Sequence, residues 1–188
     1  MRRVGAVLLA AGASTRLGEP KQLVKLGDEN LLERSVRVAT EAGCSPVVVV
    51  LGASAELIRK NCNLEGAQVV FNQGWQEGMA SSIRVGVEAL HDVDGVVVMV
   101  CDMPAVTPEH VRALAASGKV TGTFYAGRRG VPAYFPQSMF SALTMLQGDT
   151  GARDMLRTAP SIELPGGELD IDTEKDLQIA QQRFGSQT

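Results

Sequence analysis

Three short apolar runs constrain this chain most: Val4-Gly5-Ala6-Val7-Leu8-Leu9, Pro46-Val47-Val48-Val49-Val50-Leu51 and Val96-Val97-Val98-Met99-Val100-Cys101. None alternates apolar with polar residues, so a strand built from any of them must be covered on both faces. Gln68 to Asn72 reads as a further strand. Between these runs lie helix-like segments. Leu31 to Ala42 carries apolar residues at Leu32, Val36 and Ala39 and ends at Gly43, a residue suited to a helix stop. Ser54 and Thr107-Pro108 read as helix starts, the latter with Pro at the first helical position. Strand and helix in alternation predict an α/β fold with a mostly parallel sheet.

Size and charge narrow the function classes. The 188 residues suit one domain, 1–188, with a single core. A formal net charge of −3 predicts no general affinity for nucleic acid. No apolar run approaches the roughly 20 residues of a membrane span. Met1-Arg2-Arg3 before an apolar run resembles the start of a signal peptide, but Arg16 and Lys21 follow too soon and no A-x-A cleavage site is present. Cys44, Cys62 and Cys101 are odd in number and lack metal-ligand spacing, which predicts a reducing, cytoplasmic setting. His91 and His110 have no Ser, Cys or second His patterned around them and are expected at the surface.

The first run ends in a loop of small residues, Ala10-Ala11-Gly12-Ala13-Ser14-Thr15-Arg16-Leu17-Gly18, followed by Glu19-Pro20-Lys21. Small residues let a backbone approach a ligand and turn N–H groups toward an anion. Arg16 and Lys21 add positive charge suited to a polyphosphate. The loop contains neither G-x-G-x-x-G nor G-x-x-x-x-G-K-[ST], so it is not a dinucleotide fingerprint or a P-loop. Asp102 stands at the tip of the Val96 run, where a carboxylate costs solvation unless it meets a cation or caps a turn before Pro104. Gly74-Trp75-Gln76-Glu77-Gly78-Met79 makes a loop, with Ser81 and Ser82 at the start of the helix that follows; they are either N-terminal caps or ligand contacts. Thr121–Tyr125 and Val131–Phe135 read as a hairpin or as two edge strands, and Arg128-Arg129 between them as a solvated turn or an anion contact. Gly148-Asp149-Thr150-Gly151-Ala152-Arg153 offers Asp149 or Thr150 as a cap, Asp172-Thr173 opens the last helix, and the tail from Gly185 is expected to fray.

The order LAAGxSxRxGxxK resembles the nucleotide-binding loop of the MobA-like nucleotidyltransferases, which make cytidylylated or guanylylated molybdenum cofactor. The segments GWxxGMxxSI, the D-M-P at Asp102, GDxGAR and the Asp-Thr at Asp172 follow in the family's order. The resemblance implies a Rossmann-like three-layer α/β/α sandwich and attack of an acceptor phosphate on the α-phosphorus of an NTP. By position in the family, Leu9, Ala10, Ala11, Gly12, Arg16, Lys21 and Asp102 would bind the nucleotide. Asn72, Gly78 and Ser82 would hold the nucleoside, and Asp102 and Asp172 would bind Mg²⁺. Arg16, Lys21 and Asp102 are the implied catalytic groups. Leu9-Ala10-Ala11-Gly12 matches the cytidylyltransferases rather than the LAGG of guanylyltransferases, which implies CTP; the implied acceptor is molybdopterin, with a molybdoenzyme as partner. Val131 stands where many cytidylyltransferases carry the His of G-H-P. Alternatives are GTP or a sugar-phosphate-type acceptor, a non-catalytic nucleotide- or cofactor-binding module, and an NAD-dependent oxidoreductase, the last disfavoured by the absent glycine fingerprint.

Overall fold

The structure, a computed structural model, describes residues 2–14, 16–149 and 151–185. The first apolar run forms β1 (Val4–Ala10). Its loop leads through a tight turn at Lys21–Leu23 into a small hairpin, β2 (Lys25–Leu26) with β3 (Glu29–Asn30), and then α1 (Leu31–Glu41). A capping box starts α1: Glu33 N–H donates to Asn30 Oδ1 at 2.9 Å, and the Glu33 carboxylate accepts from Asn30 N–H. Gly43, with φ of 90°, ends it as the sequence predicts. Alternation continues through β4 (Val47–Leu51), α2 (Ala55–Asn61), β5 (Ala67–Phe71), α3 (Met79–Glu88), β6 (Gly95–Val100) and α4 (Pro108–Ala116). The pattern then changes to a hairpin, β7 (Thr121–Tyr125) with β8 (Arg128–Pro136). The chain finishes with α5 (Phe140–Thr144), α6 (Arg153–Leu156), β9 (Ser161–Glu163) and α7 (Glu174–Phe184).

The main sheet has the order β5-β4-β1-β6-β8-β7-β9. β1 lies parallel between β4 and β6, with Leu8 opposite Val49 on one side and Met99 on the other. β8 is antiparallel to both neighbours, while β9 returns parallel to β7. The hairpin reading of Thr121–Phe135 therefore holds, but neither strand is an edge, because β9 covers β7. Neighbouring residues of β1 feed opposite layers. Ala6 and Leu8 pack with Leu32 and Val36 of α1 and Leu114 of α4. Val7 packs with Ile83 and Val87 of α3 and with Leu143 and Leu156. This two-sided burial is what an unalternating apolar run demands, and it makes the fold the expected Rossmann-like three-layer sandwich. A third cluster joins Val24, Leu26 and Leu31 to Leu169, Ile171 and Ala180, so α7 and the segment before it are fastened over the β2–β3 hairpin.

Three local expectations need correction. His110 is 7% exposed rather than at the surface: α4 packs on β7 and β8, and Nε2 of His110 lies 2.8 Å from Thr123 Oγ1. That hydroxyl gives its single proton to Pro132 O at 2.5 Å, so the imidazole is the donor to it. Ser54 precedes α2 but sits at φ of 56° and makes no side-chain cap bond. The residue capping α6 is Ala152, not Asp149; Thr150 lies outside the described residues, as do 186–188 of the tail. Thr107 caps α4 as expected, accepting from His110 N–H at 3.3 Å. No described helix is long and apolar enough to cross a membrane.

Candidate active site

The chain leaves β1 for β4 and β5 on one side of the sheet and returns to β6 on the other. Crevices at the carboxyl ends of strands where the order reverses are where open α/β sheets bind ligands. A cleft of about 480 Å³ opens there, within the range usual for small-molecule sites. Leu9, Ala10, Ala11, Gly12, Lys21, Gly78, Ser82 and Asp102 all line it, together with Gln22 and Trp75. The loop after β1 is tied down on its sheet side: Ala53 N–H donates to Ala11 O at 2.9 Å, and Lys21 N–H donates to Ser14 Oγ at 2.8 Å. A Cβ built on Gly12 would meet nothing within 4 Å, so packing does not require glycine there.

Charge gathers around Lys21 and Asp102 in this cleft, with Asp172 and Arg16 beside them although neither lines it. Lys21 Nζ lies 2.7 Å from Asp102 Oδ2 and 2.6 Å from Asp172 Oδ1, while Arg16 Nη2 reaches Asp172 Oδ2 at 3.3 Å. Asp172 is brought to Asp102 by the chain itself, since Ile171 N–H donates to Asp102 O at 2.9 Å. Thr173 then starts α7 with a capping box to Asp176. Burial alone would lower the Lys21 pKa, but the adjacent Asp102 and Asp172 carboxylates outweigh it and hold the ammonium well above its usual range. Asp170 stands two residues before; burial, with the negative charge of Asp102 beside it, pushes its carboxyl up to about 6. Among the described residues no group of three or more His, Cys, Asp or Glu could hold a metal ion.

At the other end of the cleft the expected nucleoside contacts divide. Ser82 and Gly78 line it, but Asn72 does not. Asn72 is 3% exposed and its amide is occupied internally: Nδ2 donates to Ser81 Oγ at 2.7 Å and Ser82 Oγ at 3.0 Å, and Oδ1 accepts from Gly74 N–H at 2.9 Å. It orders the two serines and is not among the residues lining the cleft. Gly78 holds φ of 109°, and a Cβ there would run into the Asp149 carboxylate.

A second cleft adjoins the first and shares Asp102, Met79, Val100 and Asp149 with it. Its rim carries Arg128, Arg129 and Arg153, and its apolar wall includes Met103, Val131 and Leu156. Arg128 and Arg129 begin β8 and do not belong to the turn; both are exposed, as the solvated reading expects, and both also line this cleft. The Arg128 guanidinium lies 5.3 Å from the centre of the Tyr125 ring and 3.9 Å from Asp170 Oδ2. Arg129 Nη1 donates to Arg157 O at 3.2 Å. Sequence reasoning missed Gln22, Trp75, Tyr125 and Asp170 as lining residues. Trp75 had a signal in the GWxxGMxxSI segment and Asp170 in the Asp-x-Asp spacing to Asp172; Gln22 and Tyr125 depend on tertiary placement.

Comparison with known proteins agrees with this geometry. The profile of the MobA-like NTP transferase domain matches residues 6–164. The chain is 33% identical to nicotine blue oxidoreductase of Paenarthrobacter nicotinovorans, covering 96% of this chain and 95% of that one. It is 24% identical to the molybdenum cofactor cytidylyltransferase of Escherichia coli K12, over 98% of each. The crystal structure of Rv0371c from Mycobacterium tuberculosis H37Rv superposes with a TM-score of 0.85 at 30% identity, covering 96% of this chain and 98% of that one. Rv0371c has also been solved as a complex with manganese, matching with a TM-score of 0.79 at 27% identity, over 96% and 98% of the two chains. With the sheet order, the loop after β1 and the acid after β6 all in place, the chain belongs to the MobA-like NTP transferase family of nucleotidyltransferases.

Proposed function

We propose that this protein transfers CMP from CTP to the phosphate of a molybdopterin-type acceptor and releases pyrophosphate. The observation that carries the reading is the Lys21 ammonium held between Asp102 and Asp172 where the two clefts meet. An acceptor oxygen would bond to the α-phosphorus while the bond to the bridging oxygen of the leaving pyrophosphate breaks. Such a transfer needs alignment and charge neutralisation more than a protein nucleophile. The loop of Leu9 to Gly12 and Ser82 would orient the nucleotide in one cleft. Arg128, Arg129 and Arg153 would draw the anionic acceptor into the other. Lys21, Arg16 and loop N–H groups would stabilise charge on the departing pyrophosphate.

The residues present fit Mg²⁺. Asp102 Oδ2 and Asp172 Oδ1 both reach one cationic centre at 2.7 and 2.6 Å, so both can face a single ion. Mg²⁺ favours one or two carboxylates completed by phosphate oxygens and water. When bound it would supply Lewis-acid polarisation of the phosphoryl oxygens. The manganese complex of Rv0371c supports use of a divalent ion at this fold.

CTP rests on the Leu9-Ala10-Ala11-Gly12 string, and the acceptor on the relation to the cytidylyltransferase. Val131 in the acceptor cleft, where the family often has His, leaves room for a different phosphorylated acceptor. Three free cysteines suit a reducing cytoplasm. A second reading, redox chemistry, is favoured by one observation, the 33% identity to an oxidoreductase. Incubation with each NTP, Mg²⁺ and molybdopterin or sugar phosphates, with pyrophosphate as the readout, separates the two. Acceptor-dependent pyrophosphate from CTP supports the transferase. No pyrophosphate with any pair, alongside oxidation of a nicotinamide cofactor, supports the redox reading.

A further inference from the structure

Gln22 is 2% exposed and sits in the wall of the nucleotide cleft, next to Lys21 in the same tight turn. Its Nε2 donates to Ala10 O at 2.8 Å and reaches Gly12 O at 3.4 Å. Its Oε1 is the one buried side-chain nitrogen or oxygen among the described residues with no hydrogen-bond partner. The amide cannot be turned over to cure this, because its oxygen would then face two carbonyl oxygens. Folded proteins leave few such groups, and each calls for an explanation. Filling space does not supply one, since an apolar side chain of the same length would fill it without an orphaned acceptor. The donor half must be what the site needs.

In a trans peptide the carbonyl of one residue and the N–H of the next point in opposite directions. Drawing the carbonyls of Ala10 and Gly12 toward Gln22 therefore turns the N–H groups of Ala11 and Ala13 away from it. A backbone that binds an anion must present N–H groups and keep its carbonyl oxygens back. We infer that Gln22 is a positioning residue: it sets the peptide orientation of the loop after β1 so that the loop presents donors to a phosphate. One turn would then place both the Lys21 charge and the loop dipoles. This inference rests on reading the cleft as the nucleotide site.

Gln22→Met keeps the length and removes the amide; Gln22→Glu keeps the shape and puts an acceptor against the carbonyls. Three measurements apply to each: thermal midpoint, amide hydrogen exchange of residues 10–13 in the ligand-free protein, and CTP·Mg²⁺ affinity by calorimetry. For Gln22→Met the expected midpoint is modestly lowered, because the carbonyls of Ala10 and Gly12 lose their donor while the orphaned acceptor is removed, with faster exchange in the loop and affinity weakened about tenfold. Gln22→Glu is expected to weaken affinity further. A lowered midpoint with unchanged loop exchange would mean that Gln22 only packs, and would overturn the inference. So would Gln22→Glu matching the wild type in exchange, which decides the matter even if Gln22→Met does not fold. If the wild type binds no nucleotide, the reading of the cleft fails, while the exchange data still decide the role of Gln22.

Discussion

At Lys21 one ammonium meets two carboxylates within 2.7 Å, all on half-buried side chains. Each charge there is tolerable because of the others, since removing one partner of a buried pair leaves the rest uncompensated. Lys21→Met is expected to lower stability by about 1–3 kcal/mol, with added Mg²⁺ restoring part of the loss, as urea melts with and without the ion would register. The near-isosteric change Asp102→Asn, which removes the negative charge and keeps the shape, is expected to reduce turnover far more than CTP affinity; equal losses in both would reduce Asp102 to a binding role. His110 offers a test by pH. Burial lowers its pKa from 6.5, so the unfolded chain takes up a proton before the folded one as pH falls. Its contribution is flat above pH 6.5 and destabilising below. His110→Gln should therefore show a smaller fall in thermal midpoint than the wild type between about pH 7.5 and pH 5.5.

The elements were legible in proportion to how much burial dictated their residues. β1, β4 and β6 are apolar throughout because layers cover both faces, and α1 announced itself by spacing and by Gly43. β2, β3 and β9 span only two or three residues and left no pattern to find. The turn between β7 and β8 shows a different difficulty. Ala126 and Gly127 hold φ of 48° and 73°, a conformation that favours Asn-Gly and disfavours alanine at the first position. Arg128-Arg129 beyond the turn therefore looked like part of a longer loop, although both belong to β8. Ala126→Asn should relieve that strain and stabilise the protein by about 1 kcal/mol, visible as a raised thermal midpoint with activity unchanged.

Across the whole molecule, the site is assembled by topology. Reversal of strand order about β1 puts the loop after β1 beside Asp102 after β6, and both were readable as local motifs. Asp172 arrives from the far end of the chain, held by the Ile171 bond to Asp102 and by the cluster under α7. Only the family pattern pointed to it, because an Asp-Thr pair ahead of a helix reads locally as nothing more than a cap. Asn72 marks the opposite outcome: a polar residue at a family contact position, turned inward to hold Ser81 and Ser82. The two clefts meeting at Asp102 make the transfer reading a claim about adjacency, nucleotide on one side and phosphorylated acceptor on the other. The most direct test follows the α-phosphate itself. With CTP labelled at that position, Mg²⁺ and molybdopterin, the label should pass to the acceptor in step with pyrophosphate release, and Asp102→Asn should bind CTP without passing it on. Label that stays in CTP with every acceptor tried, or that moves as fast in Asp102→Asn as in the wild type, would contradict the account.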